Sequence, residues 1–161
     1  EPLFFLKPDT ALLRNNDPFY IPDFTQEVHY ECELVVRIDR LARHIAPRFA
    51  HRLYAEVGLG IDFTARDLQR VAPQFVPVAE LGNIRQLHFT LEINGEVRQR
   101  GYTGDMIFGV DELLSHVSRY ITYRTGDLFF TGTPAGAGPV ERGDVLRATL
   151  EGRELLNFEI R

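Results

Sequence analysis

Eleven residues, Val28-His29-Tyr30-Glu31-Cys32-Glu33-Leu34-Val35-Val36-Arg37-Ile38, constrain the fold of this chain more than any other stretch. Their β-branched and aromatic content is that of a strand. Bounded by Tyr30 and by Leu34-Val35-Val36, the strand reads as interior. Residues i and i+2 of a strand share a face, about 6.6–6.8 Å apart at Cα, so Glu31 and Glu33 point one way and Cys32 the other. An E-x-E pair on its own is a solvated strand face. On an interior strand two adjacent carboxylates repel, unless one takes a proton or a cation sits between them. A hard divalent ion with oxygen ligands resolves that conflict, and Mg²⁺ in such sites commonly keeps several waters.

A third carboxylate follows at the end of another apolar run, Gly58-Leu59-Gly60-Ile61-Asp62. Arg66 and Gln69 come at i+4 and i+7 from Asp62, the spacing of one helical face. An Asp62–Arg66 pair at a helix start is the plainer reading of that spacing, a third metal ligand the sharper one. Further on, Phe129-Phe130-Thr131-Gly132-Thr133-Pro134-Ala135-Gly136-Ala137-Gly138 carries a strand into a glycine-rich loop. Such a loop exposes backbone N–H groups and two hydroxyls to an anion, although alone it is more often a tight turn.

The remaining elements place these features in a mostly β chain. Strands are expected at 3–6, 58–63, 86–93, 96–100, 128–131, 145–150 and 155–160, with Asn94-Gly95 as a two-residue hairpin turn. Apolar spacing predicts a helix over 49–57, and a stronger one over 110–121 with Val110, Leu113, Leu114, Val117 and Ile121 on one face. Thr64 is positioned to cap a short helix through Leu68. With neither repeat nor linker, the whole of 1–161 reads as a single α+β domain, predominantly β, a roll or sandwich with two or three short helices.

Composition removes several functions. A net charge of −5 argues against nucleic-acid binding. No apolar run approaches the roughly 20 residues of a membrane helix. Lys7 is the only lysine beside seventeen arginines, and it stands outside any GxxxxGK[ST] phosphate loop. The two serines, Ser115 and Ser118, lie outside any G-x-S-x-G setting. Cys32 is the single cysteine, which rules out an intrachain disulfide or a cysteine zinc cluster; with no export signal it points to a reducing cytoplasm. Cys32 reads as a small core residue, His29 and His88 as structural strand histidines, and His44, His51 and His116 as surface residues.

Six segments in order resemble the fumarylacetoacetate hydrolase family in its short bacterial form. They are Lys7-Pro8, His29-Tyr30-Glu31-Cys32-Glu33-Leu34, Asp62 through Gln69, Asn94-Gly95-Glu96, Gly104-Asp105-Met106-Ile107-Phe108, and Gly126-Asp127 through Gly136. Together they span nearly the whole chain. The resemblance implies a mixed β-roll, a homodimer, and a Mg²⁺ or Mn²⁺ held by Glu31, Glu33 and Asp62. It implies further that Arg66, Gln69 and Thr133 bind a small 2-oxo or dicarboxylate substrate. The expected activity is metal-dependent C–C hydrolysis of acylpyruvate-type 2-oxo acids through an enolate. The same metal site would serve an oxaloacetate-type decarboxylase or a 2-hydroxyhepta-2,4-diene-1,7-dioate isomerase, and a binding protein that has lost catalysis is the alternative from another class.

Two family segments are not found. The His-x-x-Glu pair proposed to activate water is expected upstream of Glu1, so no catalytic acid–base pair is visible. A Lys-x-Phe-Asp segment is expected where Arg70 runs directly into Val71. Both gaps fall where a mobile lid would lie, and we expect an N-terminal segment and a lid to be missing from the sequence rather than lost by the protein.

Overall fold

The computed structural model describes residues 1–14, 17–25, 27–65 and 74–161. Two antiparallel sheets carry the fold. The first has the order β3-β2-β1-β6, from β1 (Val28–Ile38), β2 (Tyr54–Ala65), β3 (Gln74–Pro77) and β6 (Leu128–Phe130), and β7 (Gly138–Val140) also pairs with β1. The second has the order β5-β4-β8-β9, from β4 (His88–Ile93), β5 (Glu96–Tyr102), β8 (Val145–Leu150) and β9 (Arg153–Glu159). Three short helices, α1 (Pro47–Ala50), α2 (Val78–Leu81) and α3 (Val110–Val117), complete an α+β, mostly β domain. Among the described residues no helix is long and apolar enough to cross a membrane.

β1 is central, paired along the whole of one edge and at both ends of the other. Cys32, Val35 and Val36 are fully buried. β2 runs along its whole length on one side, while β6 and β7 share the other. The core continues to the second sheet through Phe63, which stacks on Phe19 at 4.1 Å and meets Phe158 edge-on at 6.1 Å. The Asn94-Gly95 turn forms as expected, both residues at positive φ (54° and 80°), as a two-residue hairpin of matching twist requires.

Four expectations are corrected. Residues 3–6 form no strand; Leu3, Phe5 and Leu6 are exposed, and Phe4 rests on the rings of His116 and Tyr120. The helix over 49–57 shrinks to α1 and a 3-10 turn at His51–Leu53, because from Tyr54 onward the chain gains a full ladder with β1, pairing Val57 with Val36. β2 also continues through Thr64 and Ala65, so Thr64 is a strand residue rather than a helix cap, and the rest of that helix lies outside the described residues. α3 ends at Val117: the Ser118 hydroxyl takes the Ser115 carbonyl at 2.7 Å, and tighter three-residue bonds follow. His116, packed against the rings of Phe4 and Tyr120, is buried rather than on the surface.

Candidate metal and substrate site

Register builds the site. In the β1–β2 ladder Glu31 lies opposite Asp62 and Glu33 opposite Gly60. Directly opposed residues share a face, as do i and i+2, so the three carboxylates converge, one oxygen from each lying within 4.8 Å of the others. Asp62 is thus a strand residue rather than the start of a helix, and Arg66 lies outside the described residues. Gly60 is glycine for a spatial reason. A Cβ there would meet the Phe130 ring at 2.5 Å and Val35 at 2.9 Å, so its absence lets Phe130 lie beside Glu33.

The site is largely sealed, with Glu33 5% and Asp62 7% exposed and Glu31 half-buried. Burial pushes the Glu33 carboxyl up to about 8, against a pull from the Gly132 N–H and with further pushes from Asp62 and Glu31. Glu31 is raised as well, chiefly by burial and then by Asp62. Gly132 donates its N–H to Glu33 Oε2 at 2.7 Å, and Lys7 Nζ reaches Asp62 Oδ1 at 2.6 Å. Among the described residues, one ammonium therefore faces the three carboxylates. A dense, buried, all-oxygen set short of positive charge is the donor chemistry a hard divalent cation satisfies, and the residues present fit such an ion.

Thr133 stands across β1 from this cluster. Its hydroxyl donates to the Cys32 carbonyl at 2.8 Å and accepts from Gln99 Nε2 at 2.9 Å. Thr131 donates to the Leu34 carbonyl through both its N–H and its hydroxyl. The glycine-rich loop thus follows β1 past Glu33. Behind it a cavity of about 480 Å³ extends from Glu33 and Asp62 between residues 2–9, α3 and β6, with Phe5, Leu113, Val117 and Phe129 among its apolar walls. Cys32 is fully buried with its thiol raised by burial, as a core residue should be.

The structure therefore brings together Glu31, Glu33 and Asp62, with Thr133 one strand residue away. Arg66, Gln69 and the Arg70–Val71 junction lie outside the described residues. Two residues escape a reading by motif spacing. Lys7 was legible as the single lysine of an arginine-rich chain and as part of a family segment, but not as a partner of Asp62. Gln99 carries a clearer signal, since it is an amide at an inward position of β5, between Val97 and Gly101, where alternation calls for an apolar side chain.

The family model for the fumarylacetoacetate (FAA) hydrolase C-terminal region matches residues 1–75 and 70–160. An oxaloacetate tautomerase of Escherichia coli (strain K12), YcgM, is 35% identical over 175 residues, covering 96% of this chain and 80% of that protein. The crystal structure of a fumarylpyruvate hydrolase from Pseudomonas aeruginosa, in complex with Mn²⁺ and pyruvate, superposes with a TM-score of 0.88 at 30% identity, covering 99% of this chain and 78% of the other. That of a 2-hydroxyhepta-2,4-diene-1,7-dioate isomerase from Mycobacterium marinum gives a TM-score of 0.91 at 32% identity, covering 99% and 69%.

Proposed function

This chain belongs to the fumarylacetoacetate hydrolase family, and on that premise we propose that it is a divalent-cation-dependent enzyme acting on small 2-oxo acids through their enolate form. The observation that carries the reading is the convergence of three carboxylates, two of them buried, within 4.8 Å. Mg²⁺ or Mn²⁺ would be held by Glu31, Glu33 and Asp62; the Mn²⁺ and pyruvate of the Pseudomonas hydrolase support that choice. Bound there, the cation would supply Lewis-acid charge that favours the enolate of a chelating 2-oxo acid.

The chain's own residues do the rest. The Gly132 N–H fixes one oxygen of Glu33, and Lys7 holds Asp62. Arg66 and Gln69 would receive a substrate carboxylate, where an arginine forms charge-assisted pairs. Thr133 would complete that carboxylate site. The apolar wall of Phe5, Leu113, Val117 and Phe129 would accommodate a carbon chain. Isomerisation, decarboxylation and acylpyruvate hydrolysis share the enolate. Hydrolysis also needs an activated water, and isomerisation needs only proton return. The tautomerase name of the Escherichia coli relative makes oxaloacetate the first substrate to assay.

Calorimetric titration of chelator-treated protein should give one Mn²⁺ per chain, and Glu33→Ala should abolish it. Ultraviolet assays with oxaloacetate, acylpyruvates and dienoates would then identify the reaction. Mn²⁺ binding to Glu33→Ala as tight as to the parent would overturn the assignment.

A further inference from the structure

β1 has a break along one edge. β6 pairs with it only at Val35–Arg37 and β7 only at Val28–Tyr30, so between them the strand that carries Glu31 and Glu33 has no ladder partner on that side. Buried backbone groups left without partners are costly, and here side chains take them. Thr131 and Thr133 cover the carbonyls of Leu34 and Cys32. The Cys32 N–H is covered from the other sheet, by Oε1 of Gln99 at 2.9 Å.

Gln99 does more than cap that N–H. It is 1% exposed, and both ends of its amide are engaged. Its Nε2 donates to Thr133 Oγ1 at 2.9 Å and to the Pro134 carbonyl at 3.0 Å. Since Thr133 Oγ1 in turn donates to the Cys32 carbonyl, the three residues close a ring, Cys32 N–H to Gln99 to Thr133 and back to Cys32 C=O. Cys32 is the peptide between the two glutamates, so its orientation sets where both carboxylates aim. The loop is also seated on the backbone next to Gln99. At Gly136, with φ of +102°, a Cβ would lie 2.4 Å from the Arg98 carbonyl oxygen and 3.2 Å from Gln99 Cγ.

We infer that Gln99 is a positioning residue that locks the Thr131–Gly136 loop to the carboxylate-bearing strand, so that the anion-binding side of the site is held in register with the cation-binding side. Gln99 touches neither cation nor substrate; it acts through Cys32 and Thr133. Both protons of the buried amide nitrogen go to the Thr131–Gly136 loop, so one side chain of β5 ties that loop to β1. The inference rests on the metal reading for its ligand-binding consequence, but its structural consequence holds without metal.

The test uses the full chain with Gln99→Met, which keeps length and removes the amide, and Thr133→Val, which breaks the ring while leaving Gln99 on Cys32. In metal-free protein, hydrogen exchange of residues 131–137 should accelerate in both variants while β4 and β8 keep their protection. In Mn²⁺-loaded protein, oxalate should bind about tenfold more weakly to each variant, the order expected for losing one positioned hydrogen bond. Mn²⁺ affinity should fall as well, since the same ring orients the Cys32 peptide between Glu31 and Glu33. The double variant should be no worse than the more affected single one, because both cuts open the same ring. Loop exchange and oxalate affinity equal to those of the parent in both variants would overturn the inference, as would effects that simply add. If Gln99→Met fails to fold, Thr133→Val and the shorter amide Gln99→Asn decide by the same readouts. A parent that takes up no Mn²⁺ would defeat the metal reading instead, and the exchange measurement would still decide the role of Gln99.

Discussion

Replacing Glu33 by glutamine should make the metal-free protein more stable at alkaline pH while destroying its affinity for metal. The folded state holds the Glu33 carboxyl at about 8, against its ordinary 4.5. A carboxyl raised on folding binds its proton more tightly in the native than in the unfolded state. Stability is therefore full below about 4.5 and falls as pH rises toward 8, the reverse of a salt-bridged carboxylate. At about 1.36 kcal/mol per pH unit that interval has a ceiling of about 5 kcal/mol. Lys7 lies close enough to share the charge, and water admitted on ionisation lowers the cost further, so we expect about 2–4 kcal/mol. Glutamine stays neutral and keeps an oxygen for the Gly132 N–H, so the variant escapes the loss. Urea unfolding in chelator should show parent and Glu33→Gln near each other at about pH 5, and the variant ahead by that margin at about pH 9, above the folded value, where the carboxylate of the parent is mostly ionised. Adding Mn²⁺ at the higher pH should reverse the order, since only the parent gains binding energy. A stability gap between the chelator-treated proteins that is the same at both pH values would refute the argument, because it would mean that Glu33 is not held protonated by its surroundings.

Two further outcomes follow from contacts at the edge of the site. Lys7→Met should tighten Mn²⁺ binding by about three- to tenfold, since it removes an ammonium that competes for Asp62 at a partly exposed position; calorimetric titration checks it, and weaker binding would show that the ammonium helps assemble the site. Gly136→Ala should cost about 2–3 kcal/mol in urea unfolding, because its Cβ would strike the Arg98 carbonyl and φ of +102° disfavours any side chain; an unchanged midpoint would mean that the loop is not seated on β5.

What could be read from the sequence, and what could not, divides by range of interaction. Glu31 and Glu33 were legible as a pair because the two-residue period of a strand is local and sequence displays it directly. Their partner Asp62 was named, but its spacing to Arg66 suggested a helix. The strand won because the ladder with β1 runs along the whole of β2, from Tyr54 to Ala65, and apolar spacing at i and i+4 cannot report that. The same competition ended the helix expected over 49–57. β3, α2 and β7 went unread because each has only three or four residues, too few for a period to show. The ring through Gln99 joins residues 67 and 34 positions apart, beyond any local pattern. Its one local trace is a polar residue at a buried alternation point. That trace has general use: a buried amide on a strand that faces a broken ladder has a reason to be there, and the reason is found across the core rather than along the chain. Here it leads from β5 to the peptide between two carboxylates, so the second sheet, which contributes none of the three carboxylates, helps set where two of them aim.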